Sequence, residues 1–360
     1  MVKKGKVKRV FPGNNTSEGF YSYYDYIIDG EPKKFFVIKG GPGVGKSSFI
    51  KKIGEEMAEK GYDVEFHHCS SDNQSLDGIA IPDLKIAIID GTAPHVVDPK
   101  YPAAIDTILN FGEFWNEENI RMHRDEILAI TFEISKLFQR AYRFLAAAKF
   151  VRDDMEDIYE EACHSGKLNQ VIGNLIEEFF GNMPYSEEAG RIRHLFGSAY
   201  TPGGHVDYYE TIIDPFQKVI YINGAYVRGI SSLLQQIADA AVKKGLYVEA
   251  YHEPLVPRNI ETLIIPKADI AITTSEKYRG KNIKTINFEE FMDRSILERY
   301  QERLAEDQHL FTEIVGKGLA NIRTAKEKHD VLEKFYIANM DFEKVEKLRE
   351  RIVSEILMRV

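Results

Sequence analysis

Residues Phe35 to Lys52 read FFVIKGGPGVGKSSFIKK. Phe35 to Ile38 are aromatic or β-branched, which suits a buried strand. Gly40, Gly41, Gly43 and Gly45 follow, and glycines grouped this closely let the backbone take angles closed to other residues. From Lys46 the apolar spacing becomes helical and predicts a helix to Lys60, stopped by Gly61. Further along, Val64–His68 and Leu84–Ile89 read as two more apolar strands. A β-α-β order with apolar strands predicts an α/β fold whose parallel sheet is covered by helices.

The same pattern occurs again downstream. Lys34–Asp90 aligns without a gap on Lys218–Thr274 at an offset of 184 residues, with 17 identities over 57 positions. Gly40, Gly45, Ser47, Ser48, Gly61, His68 and Pro82 meet Gly224, Gly229, Ser231, Ser232, Gly245, His252 and Pro266. Upstream, YYDYIID (Tyr23–Asp29) answers YYETIID (Tyr208–Asp214), and Phe11, Thr16 and Gly19 fall on Phe196, Thr201 and Gly204. Downstream, Ala148, Lys149, Tyr159, Lys167 and Glu178 meet Ala325, Lys326, Tyr336, Lys344 and Glu355 at an offset of 177. The chain therefore reads as two copies of one long unit, and that period excludes short solenoid repeats.

Each unit continues into a helical part. Ile127, Ile130, Ile134, Leu137, Ala141, Phe144, Ala148, Val151, Met155, Ile158 and Ala162 alternate steps of three and four. This predicts one long helix with a coiled-coil seam. After a turn at His164–Lys167, Leu168, Val171, Leu175 and Phe179 mark a shorter helix expected to fold back on it. An equivalent long helix is expected near Leu304–Phe335, packed on the first or on a second subunit. The expected organisation is a nucleotide domain over 1–112, a helical arm over 113–190, a degenerate copy of the domain over 191–290 and a second arm over 291–360.

The segment Gly40–Ser47 fits G-x-x-x-x-G-K-[ST], which wraps backbone N–H groups around a phosphate at the N-terminus of a helix. Gly40, Gly41, Pro42, Gly43, Val44, Gly45, Lys46, Ser47 and Ser48 are the expected phosphate-binding residues. Lys46 would reach the β- and γ-phosphates and the Ser47 hydroxyl would ligate Mg²⁺. Asp90, the first polar residue after the Ile86–Ile89 run, is the second candidate for the metal, with a turn-forming role before Gly91 as the plain alternative.

These residues resemble the P-loop NTPases, and the doubled layout resembles bacterial ATP-binding proteins that carry two such domains in tandem. The resemblance implies ATP or GTP with Mg²⁺ at Gly40–Ser48 and Asp90. No [NT]KxD base-reading motif is present, and ATP is the default. Many hydrolytic members carry Glu directly after the strand-end Asp, where this chain has Gly91.

In the second copy the loop reads NGAYVRGISS. Ile230 stands in place of the lysine and Thr274 in place of Asp90, so a pseudo-site is expected. Arg228 in that loop reads either as an arginine finger for the first site or as a solvated surface residue.

FHHCSSDNQSLDG follows the second strand and sets His67, His68, Cys69, Asp72 and Asp77 at a sheet edge where α/β proteins bind ligands. His68, Asp72 and Asp77 are candidates for substrate contact or general-base work, with loop capping as the alternative; Thr92 and His95 are comparable. Adjacent histidines on a strand face opposite ways, which argues against zinc. HLFGSAYTPGGH (His194–His205) reads as a cleft loop or a linker.

The bulk numbers narrow the function classes. A net charge of −9 provides no general basic field for nucleic acid. The basic run Lys3, Lys4, Lys6, Lys8 and Arg9 reads as a solvated terminus. Two cysteines support neither a disulfide framework nor a zinc spacing, and no apolar run approaches the roughly 18 residues of a bilayer span. The expectation is a cytoplasmic, Mg-dependent ATPase acting on a nucleoside triphosphate, with an unidentified small-molecule or protein partner and a homodimer through the arms left open. The alternatives are a small-molecule kinase and a nucleotide-gated interaction module with negligible turnover.

Overall fold

The computed structural model describes residues 3–93, 96–281 and 283–358. Its first half contains β1 (Val7–Val10), β2 (Gly13–Thr16), β3 (Gly19–Ser22), β4 (Lys34–Lys39), α1 (Lys46–Glu59), β5 (Val64–His68), β6 (Leu76–Ile81), β7 (Ile86–Asp90), β8 (Asp106–Asn110), α2 (Glu117–Met122), α3 (Arg124–Ala162) and α4 (Ser165–Phe180). The second half runs β9 (Arg191–Leu195), β10 (Ser198–Thr201), β11 (Gly204–Asp207), α5 (Tyr209–Ile213), β12 (Lys218–Asn223), α6 (Val227–Lys243), β13 (Tyr247–His252), β14 (Ile260–Ile265), β15 (Ile270–Thr273), β16 (Lys284–Asn287), α7 (Arg294–Arg299), α8 (Gln301–Ile337) and α9 (Phe342–Leu357).

Two six-stranded sheets form, ordered β1-β5-β6-β7-β4-β8 and β9-β13-β14-β15-β12-β16. Both are mixed, not purely parallel as the strand pattern alone suggests. β4 runs parallel to β7 and β8, while β6 runs antiparallel to both β5 and β7. The reason is connection length. Only a four-residue turn, closed by Lys85 at φ +55°, separates β6 from β7, and so short a link cannot make the crossover that parallel neighbours need. The β6 strand is absent from the sequence-based reading because it sits in a stretch rich in turn formers.

The N-terminal basic run is not a solvated terminus throughout. β1 pairs with β5 along the sheet edge. There Lys8 Nζ lies 2.9 Å from Glu65 and 2.7 Å from Glu249. Arg193 NH2 completes the cluster 2.6 Å from Glu65. Two cations and two anions, one of each from either sheet, thus neutralise one another where the halves meet. Beside them Phe11 and Phe196 exchange backbone hydrogen bonds of 2.9 and 3.0 Å.

The long periodic seam is a single helix, α3, of 39 residues, and α8 has 37. They pack on each other within the chain. The pairs Asp154–Arg303, Glu133–Lys328 and His123–Phe335 make them antiparallel. The short helices do not fold back on their predecessors. α4 buries Leu168, Ile172 and Leu175 in the core of the second sheet and α6, while α9 buries Val345, Leu348, Ile352 and Ile356 in the core of the first sheet and α1. Each short helix therefore completes the core of the other half. An amphipathic stripe requires an apolar partner but does not specify which one.

Candidate functional site

The loop leaves β4 and enters α1 with Gly43 at φ +67° and Gly45 at φ +87°, conformations that a side chain disfavours. Phe49, Ile50, Ile53 and Met57 anchor α1 on the sheet, which fixes the direction of its N-terminus. β4 and β7 are parallel neighbours with Ile38 opposite Asp90, so the loop and the strand-end carboxylate emerge side by side. Lys46 Nζ lies 3.5 Å from Asp90 Oδ2 and donates to the Gly40 and Gly41 carbonyls at 3.2 and 2.5 Å. Asp90 Oδ1 accepts from the Thr92 N–H at 2.9 Å, which orients the carboxyl group.

Ser47 Oγ accepts from the Leu76 N–H at 2.9 Å and keeps a second lone pair. Ser231 makes the equivalent bond to Ile260 N, also 2.9 Å, so this hydroxyl also ties the helix to the neighbouring strand. Hydroxyl and carboxylate oxygens are the hard donors that Mg²⁺ accepts, and Ser47 and Asp90 fit that ion as a donor set. Pro42 lies in the turn and Val44 is buried beneath it.

What covers the loop comes from the far end of the chain. A Cβ on Gly41 would lie 2.8 Å from the Tyr336 ring, and one on Gly43 would lie 2.8 Å from the Glu333 carbonyl oxygen. One on Gly45 would lie 3.2 Å from the Phe342 ring. Trp115 packs against Tyr336. The glycines thus serve close approach by α8 and α9 as well as loop curvature. Glu333 Oε1 stands 3.6 Å from His329 Nδ1. Burial holds the His329 imidazole below its ordinary value, and the nearby Lys326 and Lys46 ammonium groups act in the same direction against the pull of Glu333. His329, Asp330 and Glu333 bring a ligand atom each within 4.8 Å of one another.

The other residues singled out from sequence are engaged elsewhere. His68 Nδ1 lies 3.0 Å from the Asn73 carbonyl and Nε2 lies 3.1 Å from Arg9 NH1. These partners suit a neutral ring with the proton on Nδ1. Burial pushes this imidazole down to about 4, with Arg9 adding to the effect. Asp72 accepts from Ser75 Oγ at 3.0 Å and pairs with Lys326 of α8 at 3.2 Å. It therefore shapes the β5–β6 loop that carries the Leu76 N–H to Ser47. His67 is fully buried, and its neighbour His68 faces Tyr208 of the other half. His95 lies outside the described residues.

In the second loop an acid occupies the cradle. Glu156 of α3 accepts from the Val227 and Arg228 N–H groups at 3.2 and 2.9 Å, the kind of donors that hold an anion at a helix N-terminus. Burial raises the Glu156 carboxyl above its usual range, and the bond from Arg228 N and the charge of Arg152 oppose the shift. The Arg228 guanidinium is held by Asp157 at 3.2 Å and Glu160 at 2.8 Å. A cavity of about 360 Å³ adjoins this loop, lined by Arg152, Glu156, Glu253 and Glu261 among others.

A strand, a glycine loop closing on Lys-Ser and a neighbouring strand ending in Asp define a phosphate-binding loop of the P-loop class. Residues 18–185 match the KAP family P-loop domain, a span just under half of the 360 residues, and the match supports a P-loop NTPase domain over that span. That span carries a nucleotide-binding domain. No curated protein and no solved structure matches the chain. No described helix is long and apolar enough to cross a membrane.

Sequence reasoning missed Glu333, His329, Tyr336 and Phe342. One signal was available: the offset of 177 that pairs Tyr159 with Tyr336 also pairs Glu156 with Glu333.

Proposed function

We propose that this protein is a Mg-dependent ATPase that binds nucleotide at Gly40–Ser48, while the second loop, a degenerate copy, binds none. The observation that carries the reading is the meeting of Lys46 with Asp90, 3.5 Å apart at the mouth of the glycine loop. A bound triphosphate would draw the Lys46 ammonium from the loop carbonyls to its β- and γ-phosphates. Mg²⁺, held by Ser47 and Asp90, would supply charge neutralisation between those phosphates. Loop N–H groups and the α1 dipole hold the phosphate chain in place.

Closure of the second loop has two supports: Ile230 removes the cation, and Glu156 already occupies the N–H groups. A gated interaction module is a second reading. It is favoured by the close approach of α8 and α9 to Gly41, Gly43 and Gly45, since any shift of the loop on nucleotide binding would be felt by the helices packed on it. A phosphotransferase would need His68 or Asp72 at an acceptor, and both have the internal partners described above.

Calorimetry with MgATP, and phosphate release measured in parallel, test the proposal. One ATP per chain is expected, lost in Lys46→Ala, and slow release of phosphate is expected from the intact chain. Equal ATP uptake by Lys46→Ala would end this reading. Uptake without release would favour the gated module.

A further inference from the structure

Hydrolysis of a terminal phosphate requires a group that orients the attacking water and takes its proton. The end of β7 offers none. Asp90 is committed to the metal in the ATPase reading and accepts from the Thr92 N–H. Gly91 follows, and a Cβ there would lie 2.4 Å from Val37 Cγ1 and 2.9 Å from the Val97 carbonyl oxygen. The backbone is too enclosed at Gly91 for any carboxylate.

Helix α8 presents one from outside. Glu333 packs directly on Gly43, with its Cβ 3.0 Å from where a Cβ on that glycine would lie. Its carboxylate is paired one helical turn away with His329. The backbone and Cβ of Glu333 thus border the same loop whose Gly40 and Gly41 carbonyls hold Lys46. Asp330 is committed to Lys326, which also holds Asp72, so the trio on α8 is not free to act as an independent metal cage. The other half shows how far such a residue reaches: Glu156, at the equivalent place on α3, bonds directly to the loop N–H groups.

Resting on the ATPase reading above, we propose that Glu333, supplied by the C-terminal long helix, is the catalytic carboxylate that positions and deprotonates the attacking water. The water oxygen bonds to the γ-phosphorus as the bond from that phosphorus to the bridging oxygen breaks. The electron pair of the broken bond leaves with the nucleoside diphosphate, facing Lys46. The water proton passes to Glu333 and then to solvent, leaving diphosphate and inorganic phosphate. Turnover is then tied to the seating of α8 on the loop, and His329 serves as a positioning residue for Glu333.

The test uses the full chain with Glu333→Gln, Glu333→Asp and Lys46→Ala, reading MgATP affinity, phosphate release and thermal midpoint. Glu333→Gln should keep or tighten ATP binding, since a negative charge beside the phosphates is removed. Its phosphate release should fall by about a hundredfold or more. Glu333→Asp should retain part of the turnover, which keeps the inference testable if the amide variant folds poorly. Release by Glu333→Gln within threefold of the parent would overturn the inference and leave the ATPase reading intact. Loss of ATP binding in Glu333→Gln and Glu333→Asp alike, or a parent that binds ATP and releases no phosphate, would also overturn it. A parent that binds no ATP would instead sink the proposed function itself.

Discussion

The energetic consequence of α8 packing on the loop can be measured without nucleotide, using three glycine-to-alanine substitutions. Gly43→Ala combines two penalties. Its φ of +67° costs an alanine roughly 1–2 kcal/mol, and the new Cβ would meet the Glu333 carbonyl oxygen at 2.8 Å and Ile337 Cγ1 at 2.9 Å. A backbone carbonyl on a long packed helix yields little, and overpacking of this kind costs about 1–3 kcal/mol. The sum is about 3 kcal/mol, which lowers Tm by roughly 6 °C at the 2 °C per kcal/mol of larger domains. Gly19→Ala shares the positive φ, +96°, but meets nothing within 4 Å, so it should lose only about 1 kcal/mol and roughly 2 °C. Gly173→Ala, inside α4 with open space around it, should gain up to about 1 kcal/mol. Thermal unfolding followed by circular dichroism reads all three. If Gly43→Ala melts within a degree of Gly19→Ala, α8 does not press on the loop and the role given to Glu333 loses its basis.

Removing Arg193 should be costly. Its guanidinium donates to Glu65 and to the Tyr26 and Ile27 carbonyls at 2.6–3.0 Å. Arg193→Met therefore strands a buried acid and should lower stability by about 3–5 kcal/mol in denaturant titration; a loss under 1 kcal/mol would contradict the buried cluster. Acid should weaken the contact between the halves. Burial depresses His67 and His252 to about 3 and His68 to about 4, so the unfolded chain takes up protons first. Stability should fall as the pH drops below about 6.5, and a flat profile from pH 7 to 4 would count against neutral buried rings. Glu261 behaves in the opposite sense. Burial pushes its carboxyl up to about 8, so it folds protonated, and its contribution is lost as pH rises from about 4.5 toward 8. Glu261→Gln should flatten that alkaline decline; an unchanged pH profile would refute the assignment.

The nucleotide loop was legible because its determinants are local. Positive φ at Gly43 and Gly45, a strand before them and an apolar helix face after them are set by neighbouring residues. The first long helix was equally readable, since the spacing of Ala141, Ala148, Met155, Ile158 and Ala162 declares a seam by itself, although the structure buries Leu145 where the spacing pointed to Phe144. Lys8 and Arg193 were not: a charge on a strand looks the same in sequence whether it faces water or an opposite charge contributed by the other half. β6 was hidden because Asp77 and Gly78 interrupt it directly after a run of turn-forming residues.

From its sequence alone this chain determined a phosphate cradle with a lysine in one loop and none in its counterpart. Only the tertiary structure decided that α4 and α9 exchange halves, that Glu156 occupies one cradle and that Glu333 stands beside the other. Hydrophobic burial is non-directional: an amphipathic helix encodes the need for a partner surface, and the packing of the whole chain selects which surface that is.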